Sequence, residues 1–309
     1  MNPRFSVVIP AYNASATLTR AIDSVCAQSW PAHEIIVVDD GSSDATADVA
    51  RKFGARIRLI AQVNGGVAAA RNAGAGTATG DWLAFLDADD WYTPDRLRMH
   101  ADWIADDPGL DFLTGDYEYR DDAGRLLGTS LAQHAAGRRM LDHAAGATRT
   151  VLERAEDIEA FVADHFGDTH TLSVPRPAFA ELGGYPAGFR VCEDVHFLVR
   201  LVARSRRIGV VCAPLGVYVI HGGSATRRDP VAAQQENVRT LLDLMGYANH
   251  FSLPVRRGVR QRMRQARYNL GCALARTSGR GAAVHAVLPS LAESPGWGSV
   301  RDVLSMLKG

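Results

Sequence analysis

The first hundred residues alternate short apolar runs with helix-forming stretches, and this alternation leaves few architectures open. FSVVIP (5–10), EIIVV (34–38), RIRLIA (56–61) and WLAFL (82–86) read as strands, the most apolar of them buried on both faces. Between them, Ser15 can cap a helix to about Gln28, with Leu18, Ile22 and Val25 on one face. DDGSSDAT is a loop whose Asp44 caps the next helix. The NGG turn (64–66) leads into a helix beginning VAAARNAGAG. Pro94 suits the first turn of a helix through Met99 and Trp103. The order predicts a mostly parallel central sheet with right-handed crossovers and helices on both faces.

Beyond this half the pattern is less regular. Residues 120–150 are rich in Gly, Ala, Arg and His without a clean period and read as a long loop. Glu153 to Asp164 reads as a helix, and ELGGYPAGF (181–189) as a glycine-punctuated loop. EDVHFLVRLVARS (193–205) is helical, with Val195, Leu198, Val199 and Val202 on one face. IGVVCAPLGVYVIHGGS predicts two short strands and a turn, and the chain is helical from about 228 onward. The expected division is a catalytic α/β domain over 1–225 and a helical region over 226–309.

Bulk properties exclude several classes. Formal net charge is zero, so no global field draws nucleic acid to the surface. Cys26, Cys192, Cys212 and Cys272 show no CxxC pairing, which argues against a zinc site or disulfide framework and fits a reducing compartment. The N-terminus lacks the long apolar core of a signal peptide, and no run approaches a membrane span of roughly 18 apolar residues. A cytoplasmic protein is expected, with peripheral contact at the inner face of a membrane left open.

Chemistry concentrates at strand ends, where open parallel sheets bind ligands. FLDADDW places Asp87, Asp89 and Asp90 directly after a buried strand. Such crowding costs free energy unless a cation sits among the carboxylates. Mg²⁺ and Mn²⁺ take hard oxygen ligands of this kind together with substrate phosphates. A solvated acidic turn explains DxD alone equally well. Asp39 and Asp40 end the second strand, where carboxylates can accept hydrogen bonds from a nucleobase or ribose. Gly74, Gly76 and Gly80 fit neither GxGxxG nor a P-loop, and are expected to allow close helix–strand packing.

Taken in order, SVVIPAYN (6–13), VVDDGSSD (37–44), NGGVAAARNAG (64–74), FLDADD (85–90), LGGY (182–185), ED (193–194) and His221 resemble family 2 inverting glycosyltransferases of the Rossmann-like GT-A fold. The resemblance implies a nucleotide-sugar donor, UDP-sugars being a common class, and a saccharide or lipid-linked hydroxyl acceptor. It implies that Pro10, Ala11, Tyr12 and Asn13, with Asp39, Asp40, Arg71, Asp87 and Ala88, line the nucleotide site. Asp89, Asp87 and His221 would hold Mn²⁺ or Mg²⁺. Asp194, beside Glu193, would be the general base. Two features depart from the pattern or narrow it. The segment after ED reads VHFLVR, with His196 and Phe197 where a bulky aromatic often shapes the acceptor site. The QxxRW motif of processive synthases is absent, which favours single additions.

The tail allows two readings. Residues 256–280 hold eight arginines and no acid, with Arg256, Arg260, Arg264 and Arg267 beside a stripe of Val259, Met263, Ala266 and Leu270. Such a helix can lie on an anionic membrane or pack on the catalytic domain with a solvated basic face, the commoner arrangement. Two rival functions share the α/β layout. A sugar-phosphate nucleotidyltransferase should carry a glycine-rich basic loop after strand one, where AYNASATL stands. A non-catalytic nucleotide-sugar binder has no use for Asp194.

Overall fold

The computed structural model describes residues 2–164, 167–221 and 229–308. The first half follows the apolar pattern: β1 (Phe5–Ala11), α1 (Leu18–Cys26), β2 (Glu34–Asp39), α2 (Thr46–Arg51), β3 (Arg58–Ala61), α3 (Val67–Thr77) and β4 (Trp82–Phe85). After it come β5 (Trp91–Tyr92), α4 (Arg96–Asp106), β6 (Phe112–Asp121), β7 (Leu126–Thr129), α5 (Ser130–Gln133), α6 (Ala135–Ala144) and β8 (Arg149–Leu152). The remainder of the α/β body is α7 (Ala155–Asp164), β9 (Ser173–Pro175), α8 (Arg176–Glu181), α9 (Glu193–Arg204) and β10 (Ile208–Ile220). Five helices close the chain: α10 (Pro230–Gly246), α11 (Leu253–Thr277), α12 (Arg280–Val287), α13 (Ser290–Glu293) and α14 (Trp297–Lys308). The expected 225/226 boundary, and Gly222 to Ser224 of the HGGS segment, lie outside the described residues.

The sheet runs β3-β2-β1-β4-β9-β6-β10-β5, with β7 on β6 and β8 on β10. β3, β2, β1 and β4 are parallel, and so are β6 and β10. β9, β5, β7 and β8 pair antiparallel, so the second half is mixed. Alternation along β1 sends Val7 and Ile9 into one core with Ile22 and Val25 of α1, and Val8 into the other with the alanines of α3. Helices therefore cover both faces. Gly74 allows the close approach of α3, since a Cβ there would lie 2.4 Å from Val8 Cγ1. Gly80 does the same against the Arg4 carbonyl, but Gly76 faces open space and has no such role.

β9 wedges between β4 and β6, although only three residues long. Arg96, wholly buried on α4, seats it: its Nη1 donates to Ser173 Oγ at 2.7 Å and its Nη2 to the Leu172 carbonyl at 2.6 Å. This fixes the preceding segment, which carries Asp168 and His170, beside the end of β4.

Several local expectations need correction. Residues 120–150 are not a loop. β7 and β8 gain their hydrogen bonds from β6 and β10, and Leu131, Ala136 and Met140 are buried. Polar composition hid this, because half of each element faces solvent. β10 is one strand rather than two, with register shifts on both sides of Pro214, which has no N–H to donate. Ser15 does not cap α1. The helix begins at Leu18, and the Ser15 N–H donates to Asp44 Oδ2 at 3.1 Å. Asp44 lies just ahead of α2, whose N-cap position is Ala45, and still accepts the Thr46 N–H at 2.9 Å.

The tail helix packs. Val259, Met263, Ala266 and Leu270 are buried. A Cβ on Gly258 would lie 2.7 Å from the Glu159 carbonyl of α7, which shows how closely the two helices approach. On the basic face Arg267 pairs with Glu293 at 2.6 Å and Arg264 with Asp302 at 3.3 Å. Packing thus accounts for the stripe that the membrane reading required. Among the described residues no helix is long and apolar enough to cross a membrane.

Candidate active site

The crowded acidic loop resolves into three carboxylates with three different partners. Asp87 Oδ1 accepts Arg71 Nη2 at 2.7 Å. Asp89 Oδ2 lies 2.9 Å from His221 Nε2. Asp90 is buried and accepts the Val219 N–H at 2.9 Å, while its other oxygen has no partner among the described residues. Burial, then Asp89 and Asp87, push the Asp90 carboxyl well above the usual range. β5 pairs with β10 just beyond this loop, Trp91 opposite Val217, and so carries His221 back to Asp89. The late histidine and the DxD aspartate, 132 residues apart, are thereby brought together.

Arg71 joins this loop to the start of α9. Its Nη1 donates to Glu193 Oε1 at 2.6 Å, and its guanidinium lies 5.2 Å from the centre of the Tyr185 ring. Burial alone would lower the guanidinium, but Asp87 and Glu193 outweigh it and hold the pKa above its ordinary value. Burial pushes the Glu193 carboxyl up to about 7, with Arg71 pulling down and Asp194 pushing up. Asp194 follows on the first turn of α9 and accepts the Val195 N–H at 2.8 Å. Cys192, just before the pair, is left-handed at φ 65°, a strained conformation for a residue with a side chain.

The ends of β1 and β2 are arranged differently. Pro10 and Ala11 are buried in register with Val38 and Asp39. Tyr12 is 54% exposed, a free aromatic face at the crevice. Asn13 takes φ 49° and accepts the Ser43 N–H at 2.9 Å. Asp39 accepts the Ser42 N–H at 3.1 Å. Asp40 accepts Gln62 Nε2 at 2.7 Å and the N–H groups of Gly65 and Gly66 at 2.9 and 2.8 Å, so it fixes the turn that starts α3. Ala88 is buried between the two loop aspartates.

Sequence reading missed Asp168. It caps a single 3₁₀ turn, accepting the Thr169 N–H at 2.5 Å, and shares a cavity of about 10 Å³ with Thr169, Tyr185 and Asp194. That volume holds one water. Burial, then Asp194 and Asp87, push the Asp168 carboxyl well above the usual range. His170 beside it is driven down to about 4, chiefly by burial, and packs edge-on to Tyr117 at 4.4 Å. In GDTHT the only signal was an aspartate ahead of a threonine. Phe197 is buried in the core and lines the small cavity beside Asp194, while buried His196 Nε2 lies 2.8 Å from Asp243 of α10.

Hard and imidazole donors meet at Asp89 and His221, which suits Mn²⁺ or Mg²⁺. Among the described residues, however, no three His, Cys, Asp or Glu side chains gather closely enough to hold an ion unaided. A cation here needs ligands from substrate phosphate and water.

Residues 6–145 match the model of the family described as Glycosyl transferase family 2. The chain is 34% identical over 233 residues to the succinoglycan biosynthesis protein ExoO of Rhizobium meliloti, covering 73% of this chain and 63% of that protein. It is 29% identical over 237 residues to the putative glycosyltransferase EpsH of Bacillus subtilis, again covering 73% of this chain and 63% of the relative. The chain thus spans somewhat under two thirds of these relatives' lengths. Its fold is similar to S. aureus TarS 1–349 in complex with UDP-GlcNAc, with a TM-score of 0.65, 16% identity, and coverage of 98% of this chain and 89% of that one. It is also similar to the mannosyltransferase PcManGT from Pyrobaculum calidifontis in complex with GDP-Man and Mn²⁺, with a TM-score of 0.60, 17% identity, and coverage of 99% and 85%. The mixed sheet with its added helices is therefore the GT-A arrangement. With the motifs in order and their side chains meeting at one end of the sheet, the chain belongs to glycosyl transferase family 2.

Proposed function

We propose that the protein is an inverting glycosyltransferase that moves a sugar from a nucleotide-sugar donor, UDP-sugars being favoured, to a hydroxyl acceptor in glycan, polysaccharide or glycolipid synthesis. The observation that carries this reading is Arg71. It contacts Asp87 at 2.7 Å and Glu193 at 2.6 Å, so the donor-side loop and the carboxylate pair of α9 face one cleft. A pure binder would need only the first half. The TarS and PcManGT complexes, which hold UDP-GlcNAc and GDP-Man, support a nucleotide-sugar donor.

In the proposed reaction Asp194 takes the proton of the acceptor hydroxyl while the hydroxyl oxygen bonds to the anomeric carbon. The carbon–oxygen bond to the nucleoside diphosphate breaks on the opposite face, so the anomeric centre inverts in one displacement. A positioned base of this kind contributes about 10²–10⁴-fold. Asp168, whose carboxyl burial pushes up, lies beside Asp194 on the same small cavity, and Arg71 is paired with Glu193. Tyr12, Asn13, Asp39 and the Ala88 backbone line the nucleoside end. Asp89 and His221, with Asp87 nearby, would hold a divalent cation that offsets charge on the leaving diphosphate.

Calorimetry with nucleoside diphosphates, with and without Mn²⁺, tests the donor half. UDP should bind more tightly with the metal, and Asp89→Ala should remove that difference. A nucleoside triphosphate and sugar phosphate releasing pyrophosphate would instead indicate a nucleotidyltransferase.

A further inference from the structure

Three tyrosines cluster near the carboxyl ends of β6 and β10 and take no part in the displacement proposed above. β6 runs antiparallel to β9, and β9 antiparallel to β4, so β6 and its parallel partner β10 end on the same side of the sheet as β4. Tyr119 pairs in register with Tyr218, and alternation puts Tyr117 on the same face. Ring centres are 5.8 Å apart for Tyr119 and Tyr218, at 74°, and 5.0 Å for Tyr117 and Tyr119, whose hydroxyls lie 2.9 Å apart. His170 fits among them, 4.4 Å from Tyr117 and 6.1 Å from Tyr218. Gly216 makes room for it, since a Cβ there would lie 3.2 Å from His170 Cδ2. His170 Nδ1 is 3.9 Å from Asp168 Oδ2, and Asp168 and Asp194 line one cavity. In the other direction the strand carrying Tyr218 leads directly to His221, which meets Asp89. Tyr218 is thus joined to the cation end along its own strand and to the base end through His170.

We infer that Tyr218, with Tyr119 beside it, is the floor of an acceptor subsite for a pyranose ring, which lies on the tyrosines by one C–H face and turns a hydroxyl towards Asp168 and Asp194. This rests on the transferase reading above. Tyr117 is buried, but Tyr119 and Tyr218 are only half-buried, so part of each ring is open to a ligand. The Tyr119 hydroxyl is taken up by Tyr117, whereas that of Tyr218 has no hydrogen-bond partner among the described residues. The face of an aromatic ring is the negative end of its quadrupole. The C–H bonds on one face of a pyranose are apolar and weakly positive, so the two surfaces match. Stacking leaves the sugar hydroxyls at the edge of the ring, free to meet the carboxyl groups. A nucleobase would stack equally well, but exposed Tyr12 at the end of β1 serves that end of the cleft. A lipid chain finds no dry surface here, because Asp168 borders the rings through His170.

The test uses the full chain saturated with UDP and Mn²⁺, titrated with the methyl pyranosides of glucose, galactose and mannose, and with sorbitol, which has hydroxyls but no ring. Saturation-transfer NMR reads both affinity and the ligand protons nearest the protein. At least one pyranoside should bind more tightly than sorbitol, with saturation strongest on the C–H protons of one ring face. Tyr218→Leu, which keeps an apolar side chain without the aromatic face, should weaken that pyranoside by about three- to tenfold. Tyr218→Phe, which keeps the ring, should stay close to the parent protein. Absence of pyranoside binding, equal binding of sorbitol, or undiminished binding by Tyr218→Leu would overturn the inference and leave the tyrosines as packing. A loss in Tyr218→Phe as large as in Tyr218→Leu would also overturn it, since the hydroxyl and not the ring face would then hold the sugar. UDP binding by the same proteins reports the donor reading and correct folding separately. Pyranoside titration without nucleotide still tests Tyr218 if UDP fails to bind.

Discussion

The ends of β2 and β4 are both acidic turns at the carboxyl end of the sheet's parallel strands, yet they hold their charge in different ways. At β2, Asp39 and Asp40 are held by backbone N–H groups of Ser42, Gly65 and Gly66, with Gln62 added. At β4, Asp87 and Asp89 face the side chains of Arg71 and His221. Backbone donors cannot leave without unfolding the turn. Side-chain donors can rotate and exchange for a ligand. The first end is therefore a shaped wall and the second a set of exchangeable partners, and Asp194 has among the described residues only the N–H of its own helix as a partner.

The largest expected effect is at that carboxylate. Asp194→Asn should lower transfer by about 10²–10⁴-fold with nucleotide affinity retained, measured by product formation and calorimetry. Full turnover would remove it as the base. Next is the bridge. Arg71→Met leaves Glu193 and Asp87 unpaired, and denaturant unfolding should show a loss of about 3–5 kcal/mol. No loss would mean that the two halves are not energetically joined.

The contrast between the turns comes third. Asp40→Ala should cost about 1–3 kcal/mol of stability, because several donors lose their acceptor. Asp89→Ala should change stability little and metal-dependent UDP binding strongly. If the two effects exchange places, the distinction between the ends fails. The fourth test is pH. Glu193 is raised from 4.5 to about 7, so across that window the folded protein keeps a proton that the unfolded chain has released. Stability from this group is complete below 4.5 and is lost as pH rises through 7, and Glu193→Gln should flatten that fall. The smallest effect is at Asp90, whose carboxyl burial pushes well above the usual range: Asp90→Asn should stay within about 1 kcal/mol.

What was legible in the sequence follows the same division between local and distant causes. Strands β1, β2 and β4 are apolar runs whose neighbours lie in the adjoining segments, and the residues closing them were named from order alone. β9 could not be read, because three residues ending in proline become a strand only when Arg96 and β4 hold them. Asp168 depended on that placement and was missed with it. The helical content of 120–150 was obscured by exposed faces, and β10 looked broken at Pro214 although β6 holds both parts in one strand. For the arginine-rich tail, the periodicity gave the buried stripe. It could not show which acids Arg264 and Arg267 would find, since Asp302 and Glu293 come from later helices.

The short wedge at Ser173–Pro175 limits how the chain can be divided. Among the described residues it alone connects β4 to β6 in the sheet, yet it lies beyond residue 145, where the family match ends. A fragment cut there would keep most of its strands and still open a seam through the middle of the molecule, exposing two interior rims to any neighbouring strand. The segment that the family model matches is therefore not the segment that can stand alone.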